Sequence, residues 1–229
     1  MNEIKKRTGR ARDAENTRKV ILDAAEGVFA QFGFAGARFD AIALASGYNK
    51  SLIGQYFGDK LGLYTELLKR TDGNLQTLQA HVLAPWLESK GRASSEPELR
   101  SLLETIVQTT FTYLLEHPNF LRILTWEMAD GWRTYATIFP KAQKKDTAPF
   151  TRLIRHAERA GLLRPGFTPL IRLAMVTQIC QSFLAYLPLY QMMVAEEDVS
   201  TKQALTLARQ HLVRFIVGGM MNDPANPQS

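Results

Sequence analysis

The chain has 229 residues, 45% of them hydrophobic, with 28 Lys plus Arg against 22 Asp plus Glu and a formal net charge of +6. That apolar content excludes a globally disordered chain, and the cationic excess suits a polyanionic partner such as nucleic acid without deciding it. Cys180 is the only cysteine, which excludes an intrachain disulfide and fits a reducing compartment.

The opening stretch MNEIKKRTGRARDAENTRK is polar and lacks the apolar core of a signal peptide. No segment has the roughly 18 uninterrupted apolar residues of a membrane-spanning helix. The expectation is a soluble, cytoplasmic protein with no membrane partner.

Val20, Ile21, Ala24, Ala25, Val28, Phe29 and Phe32 form one helical stripe, which Gly33 ends as a C-cap. Phe39, Ile42 and Ala43 predict a second, shorter helix ending at Gly47. A third runs from Asn49 as N-cap to about Phe57, and Asp59 caps a fourth carrying Leu63, Tyr64, Leu67 and Leu68. The fourth continues towards Pro85, with Asp72-Gly73-Asn74 as a candidate break. ESKGRASSEP, residues 88 to 97, reads as a polar linker, and Ser95 with Glu98 has capping-box spacing at the start of the next helix. That helix stops at His117-Pro118; NFLRILTWEMADGW is helical again, and KAQKK at 141 to 145 reads as solvated surface. Residues 147 to 161 predict a helix closed by Gly161, and Thr168-Pro169 opens another to about Leu187. Ser200 is expected to cap the last helix, which ends at Gly218-Gly219. No window alternates with the period of a half-buried strand, so the fold class is all-α.

The third helix raises the functional question. Leu52, Ile53, Tyr56 and Phe57 occupy one arc, and Lys50, Ser51, Gly54 and Gln55 the other. Gly54 costs about 1 kcal/mol of helix propensity relative to alanine. A small, polar face with a glycine at its centre suits a helix laid in a DNA major groove, where the backbone lies close to base edges. The preceding helix and the turn at Ser46-Gly47 complete a helix-turn-helix.

GARFDAIALASGYNKSLIGQYFGDKLGLY resembles the DNA-binding signature of the tetracycline-repressor (TetR) family of bacterial regulators. The matching residues are Phe32-Gly33, Ile42-Ala43, Gly47, Asn49, Phe57, Lys60 and Leu63, and the likeness spans roughly residues 14 to 68. It implies a helix-turn-helix domain over 1–62, a ligand-binding and dimerisation domain over 63–222, and a tail at 223–229. Residues expected to contact DNA are Arg38, Asn49, Lys50, Ser51, Gly54, Gln55, Tyr56 and Lys60. Arg38 stands where the family usually has a capping Ser or Thr, and Gly54 where it often has tyrosine. Tyr56 and Lys60 hold positions of phosphate contacts by resemblance, although Tyr56 also reads as a packed aromatic. The basic residues Lys5, Lys6, Arg7, Arg10 and Arg12 within 1–13 form either a disordered tail or an arm for the minor groove.

In the second half, residues 170 to 187 carry a single charge, Arg172, and are apolar nearly all round. With the last helix they resemble the pair that forms a four-helix bundle with its mate in this family. The homodimer surface is expected to include Ala174, Thr177, Gln181, Leu205, Ala208, Leu212 and Phe215. A small, apolar or aromatic effector is expected against Phe111, Trp126, Trp132, Phe183 and Tyr186, with Glu127 as polar anchor. His81, His117, His156 and His211 lie far apart, Cys180 reads as a core thiol, and there is no dinucleotide or phosphate-binding glycine motif. No enzyme, metal or cofactor is therefore expected. The reading is a dimeric repressor that binds a palindromic operator in double-stranded DNA and is released by its effector. Its rivals are an architectural DNA-binding protein and a helical small-molecule carrier or enzyme with a vestigial helix-turn-helix.

Overall fold

The computed structural model describes residues 2–88, 95–139, 148–194 and 196–222. In chain order the helices are α1 (Asn2–Gly36), α2 (Phe39–Ser46), α3 (Lys50–Phe57), α4 (Lys60–Glu88), α5 (Glu96–Glu116), α6 (Pro118–Ala129), α7 (Arg133–Ile138), α8 (Ala148–Arg159), α9 (Pro169–Ala185), α10 (Leu187–Met193) and α11 (Lys202–Met220). Among the described residues the only extended pairing is an isolated antiparallel bridge between Leu163 and Met221. The all-α class expected from periodicity is the class observed.

The chain divides into two compact units. One comprises Met1–Asn74 with Pro118–Pro140, the other Leu75–His117 with Lys141–Ser229. This differs from a single cut at residue 62. The α6–α7 segment, distant in sequence, belongs with the helix-turn-helix because α6 packs on α1 and its Ile123 enters that core. The rest of this core is Ile21, Ala25 and Phe29 of α1, Ile42 of α2, Ile53 and Phe57 of α3, and Leu63, Tyr64, Leu67 and Leu68 of α4.

Local chemistry sets the ends of these helices. The Asn49 carboxamide oxygen accepts the Leu52 N–H at 2.8 Å and caps α3. The Asp59 carboxylate accepts the Gly62 N–H at 2.8 Å and opens α4. At Gly62 a Cβ would lie 2.0 Å from the Phe57 carbonyl oxygen, so the tight passage from α3 to α4 requires glycine there.

In the second unit α5 is the central helix, with α9 and α11 packed on it and α8 on α9. Leu99, Leu102, Leu103, Ile106 and Leu114 of α5, Val176, Cys180 and Leu184 of α9 and Val213, Ile216 and Val217 of α11 are buried in its interior. The buried Arg172 ties the α8–α9 connection together. Its guanidinium donates to Glu158 Oε1 at 2.6 Å and to the carbonyls of Arg164 (2.7 Å) and Phe167 (3.0 Å). Among the described residues no single helix is long and apolar enough to cross a membrane; α9 and α10 together reach that length but bend by 48° where they join.

Several expected boundaries shift. Gly33 does not end α1; it sits inside it at φ 66°, ψ 177°, where the helix kinks and continues to Gly36. The basic N-terminal stretch is helical from Asn2 and continuous with α1. Asp72-Gly73-Asn74 leaves α4 unbroken as a helix, although the two units divide directly after it. Helix α5 starts after Ser95 as expected, but the Ser95 side chain makes no cap bond; Pro97 in the first turn removes one orphan donor, and Glu96 and Glu98 favour the positive helix end. Ser200 yields the last N-cap to Thr201, whose hydroxyl accepts from Ala204 N at 3.1 Å, because Asp198 already engages the Ser200 amide and hydroxyl. Gly218-Gly219 lies within α11, which closes at Met221 beside buried Ile216 and Val217. The predicted surface at 141 to 145 and the tail at 223–229 lie outside the described residues.

Candidate nucleic-acid interface

Helices α2 and α3 meet at Gly47, which takes the left-handed conformation (φ 74°) that ends α2. Ile53 and Phe57 turn α3 inward, while Ser51 and Gln55 are exposed on its other side. Lys50 is also exposed and pairs with Asp40 of α2. Asn49 uses its oxygen as the α3 cap, leaving its NH2 group directed to other acceptors. Arg38 is exposed at the N-cap position of α2 and makes no side-chain cap bond.

Gly54 has no internal reason to be glycine. A Cβ built on it meets nothing within 4 Å, and its backbone is helical. The protein would gain helix propensity from alanine there, and nothing within the protomer occupies the space a side chain would take. Tyr56 is half-buried, tilted against Phe57 with ring centroids 6.1 Å apart. Lys60 turns back on the protein: Nζ donates to the carbonyls of Ala37 (3.1 Å) and Ala35 (3.4 Å) and lies 4.8 Å from the Phe34 ring centre. It stitches the α1–α2 turn, with one of its three N–H bonds left over.

Sequence reading missed two features of this head. Leu44 on α2 is 87% exposed, a large apolar side chain on the face bordering the turn; nothing in the helical stripe marks it. An ion-pair network also holds α1 to α4. Arg70 reaches Asp23 and Glu26, each at 2.6 Å, while Arg18 pairs with Glu66 and covers the Phe57 ring at 4.9 Å. Its only sequence signal is the spacing of Asp23 and Glu26 along one helix face.

The expected effector residues divide between the two units. Trp126, Glu127 and Trp132 belong to the helix-turn-helix unit. The Trp126 indole donates to the Ala30 carbonyl at 3.1 Å, and Glu127, 3% exposed, accepts the Tyr64 hydroxyl at 2.7 Å and the Tyr135 N–H at 2.9 Å. Glu127 is thus an interior partner rather than an open polar anchor, because both its oxygens are already engaged. Trp132 packs edge-on to Tyr135 with centroids 5.6 Å apart. Phe111, Phe183 and Tyr186 lie in the other unit, where Phe183 contacts Phe111 (6.1 Å) and Tyr190 (5.5 Å), and Tyr190 contacts Tyr186 (6.2 Å). None of the six lines either of two open cavities, one of about 630 Å³ beside Arg12, Arg18 and Arg70 and one of about 530 Å³ beside Leu187, Gln191 and Val199.

The expected subunit surface is partly open in the protomer. Ala174 is exposed, Thr177, Leu205, Ala208 and Leu212 are half-buried, and Phe215 is 73% exposed. Ile171 and Met175 of α9 and Leu207 of α11 add exposed apolar surface. Gln181 departs from the set: it is 2% exposed, inside the protomer, because it lies at the edge of the arc that packs inward.

The described helices form a helix-turn-helix head with a polar outer face and a second all-helical unit. The sequence profile described as "Bacterial regulatory proteins, tetR family" matches residues 21–67, and that described as "Tetracyclin repressor-like, C-terminal domain" matches residues 100–216. The chain belongs to the TetR family. It is 34% identical over 117 residues to the HTH-type transcriptional repressor SCO4008 of Streptomyces coelicolor, covering 51% of this chain and 52% of that protein. It is 41% identical over 127 residues to the HTH-type transcriptional regulator RutR of Escherichia coli, covering 55% of each. The chain thus spans about half the length of the curated relatives it matches. A TetR family transcription regulator from Marinobacter aquaeolei shares the fold with TM-score 0.66 at 18% identity, over 93% of this chain and 100% of that one.

Proposed function

We propose that the protein is an effector-responsive transcriptional repressor that binds a palindromic operator as a homodimer. The carrying observation is Gly54: a glycine at the centre of the exposed polar face of α3, with open space where a Cβ would stand. Close approach of DNA supplies the missing reason for it. Gln55 and Ser51 then read base edges, Lys50 and Arg38 contact the backbone, and Tyr56 packs and reaches a phosphate.

One head makes too few base contacts to single out an operator among competing genomic sites, so two act together. Exposed Phe215, Leu207, Ile171 and Met175 on α11 and α9 support an isologous seam. Two recognition helices would then enter successive major grooves about 34–36 Å apart. Effector binding in the second unit shifts the dimer away from the operator-competent state, and operator DNA weakens effector affinity by the same factor.

Gly54→Ala tests the reading by opposite signs. It should stabilise the free protein by up to about 1 kcal/mol while weakening binding to the sequence selected from random DNA. Phe215→Glu should yield monomers in sedimentation with lost operator affinity. A Gly54→Ala protein of undiminished affinity, or a wild-type monomer protecting a whole palindrome, would overturn the proposal.

A further inference from the structure

Among the described residues of the second unit, three polar side chains are buried: Thr110, Arg172 and Gln181. Two are satisfied. The Thr110 hydroxyl donates to the Ile106 carbonyl at 2.8 Å, and the Arg172 guanidinium is divided among Glu158 and two carbonyls. Gln181 is different: its Nε2 is shut off from solvent and has no hydrogen-bond partner. Burying an amide donor without an acceptor is unfavourable, and the large majority of buried polar side-chain atoms are paired. Methionine or leucine would fill the same volume without that loss. A mate subunit does not satisfy this donor, since the side chain is closed off within the protomer.

We propose that Gln181 Nε2 is the polar anchor of an effector site beside α9, and that the occupant is an uncharged small molecule presenting a carbonyl or ring-nitrogen acceptor. The inference rests on the effector-responsive reading above and names the chemistry of its effector. An uncharged acceptor follows from the surroundings: Arg172, the one buried cation among the described residues, already has its guanidinium committed, so nothing balances a buried carboxylate. Neither described cavity is lined by Gln181, so side chains around α9 must part to admit the occupant, as in pockets that a ligand itself makes dominant. The same helix presents Ile171, Ala174 and Met175 outward. An occupant at Gln181 therefore displaces the helix that carries the proposed seam.

The test follows the side-chain amide resonance of Gln181 in nitrogen-15-labelled full-length protein, assigned by its loss in Gln181→Met. The probes are acetophenone, benzamide, benzoate and ethylbenzene. Acetophenone and benzamide should move this resonance and raise the melting temperature of the wild type, with affinity about tenfold lower in Gln181→Met, the worth of one hydrogen bond. Benzoate and ethylbenzene should bind both proteins equally poorly. Gln181→Met itself should melt no lower than wild type. A resonance unmoved by all four probes, one that reports a resident long-lived water, or equal probe affinities in the two proteins overturns the inference. Selection of bound sequences from random DNA, run on both proteins, separates this failure from failure of the regulator reading: lost sequence preference in both would sink the regulator and leave the probe result standing.

Discussion

The Tyr64 hydroxyl donates to Glu127 Oε1 at 2.7 Å inside the helix-turn-helix unit, joining α4 to α6 across 63 positions of chain. Phe29 and Phe34 pack on the Tyr64 ring with centroids at 4.7 and 5.0 Å, so the bond sits in an aromatic cluster of the helix-turn-helix core. A carboxylate in such a place is tolerable only while its donors remain, because an unpaired buried charge is far costlier than a paired one.

Tyr64→Phe leaves that carboxylate with the Tyr135 N–H and one donor fewer, and should lower stability by about 1–3 kcal/mol in urea titration. Combining it with Glu127→Leu should cost less than the sum of the single changes, since the double variant strands no charge. Strict additivity would show that the two groups do not depend on each other.

Gly33→Ala should be destabilising for two separate reasons. The backbone at φ 66°, ψ 177° lies in a region that is essentially glycine's alone, worth about 1–3 kcal/mol to any other residue. The new Cβ would also stand 3.0 Å from the Trp126 ring. Trp126→Ala removes only the second of these penalties, so on that background Gly33→Ala should cost less in thermal unfolding than it does in the wild-type protein. No cost at all on that background would mean that the backbone contributes nothing.

Lys60→Ala should act twice. Losing its bonds to the Ala35 and Ala37 carbonyls should lower stability by about 1 kcal/mol, a charge-assisted value discounted for solvent screening. If the remaining N–H meets a phosphate, affinity should fall for all sequences and the salt slope should drop by about 1. Unchanged stability would remove its role in the turn, and an unchanged slope its role at phosphate.

Alkaline pH should weaken the fold through two buried groups. Burial pushes the Cys180 thiol from 9.0 up to about 12, and burial first, then the Glu127 hydrogen bond and charge, push the Tyr64 phenol well above its ordinary value. Both groups hold their protons more tightly folded than unfolded. Their contribution is therefore complete below pH about 9 and is lost as pH rises through the folded values. Melting temperature should decline from pH about 9 upward, less steeply in Tyr64→Phe. A thiol reagent at pH 8 should modify Cys180 only on unfolding. Rapid labelling of the native protein would contradict its burial.

The short-range elements were legible in the residues themselves. Asn49, Asp59 and Gly47 act within three or four positions of the helix ends they set, and the stripe from Ile21 to Phe29 needs only a 3.6-residue period to declare its inward face. For the same reason the helix-turn-helix and the family to which it belongs could be read from one contiguous stretch. Caps failed where a neighbour competed for the same groups, as Asp198 does for Ser200.

What lay beyond sequence depended on partners far along the chain. Trp126 and Glu127 look like pocket residues in isolation, an aromatic beside a carboxylate; only tertiary packing supplies Ala30 of α1, Tyr64 of α4 and Tyr135 of α7 as their partners. Lys60 carries a charge that suits phosphate, yet two of its three N–H bonds go to carbonyls 23 and 25 positions earlier. Gln181 sits at the edge of a helical arc, where periodicity cannot say which side is covered, and the fold closes it in without giving its donor a partner. Helical period fixes which residues can face inward together, but the identity of each buried polar group's partner is a property of chain segments that only tertiary packing brings into contact.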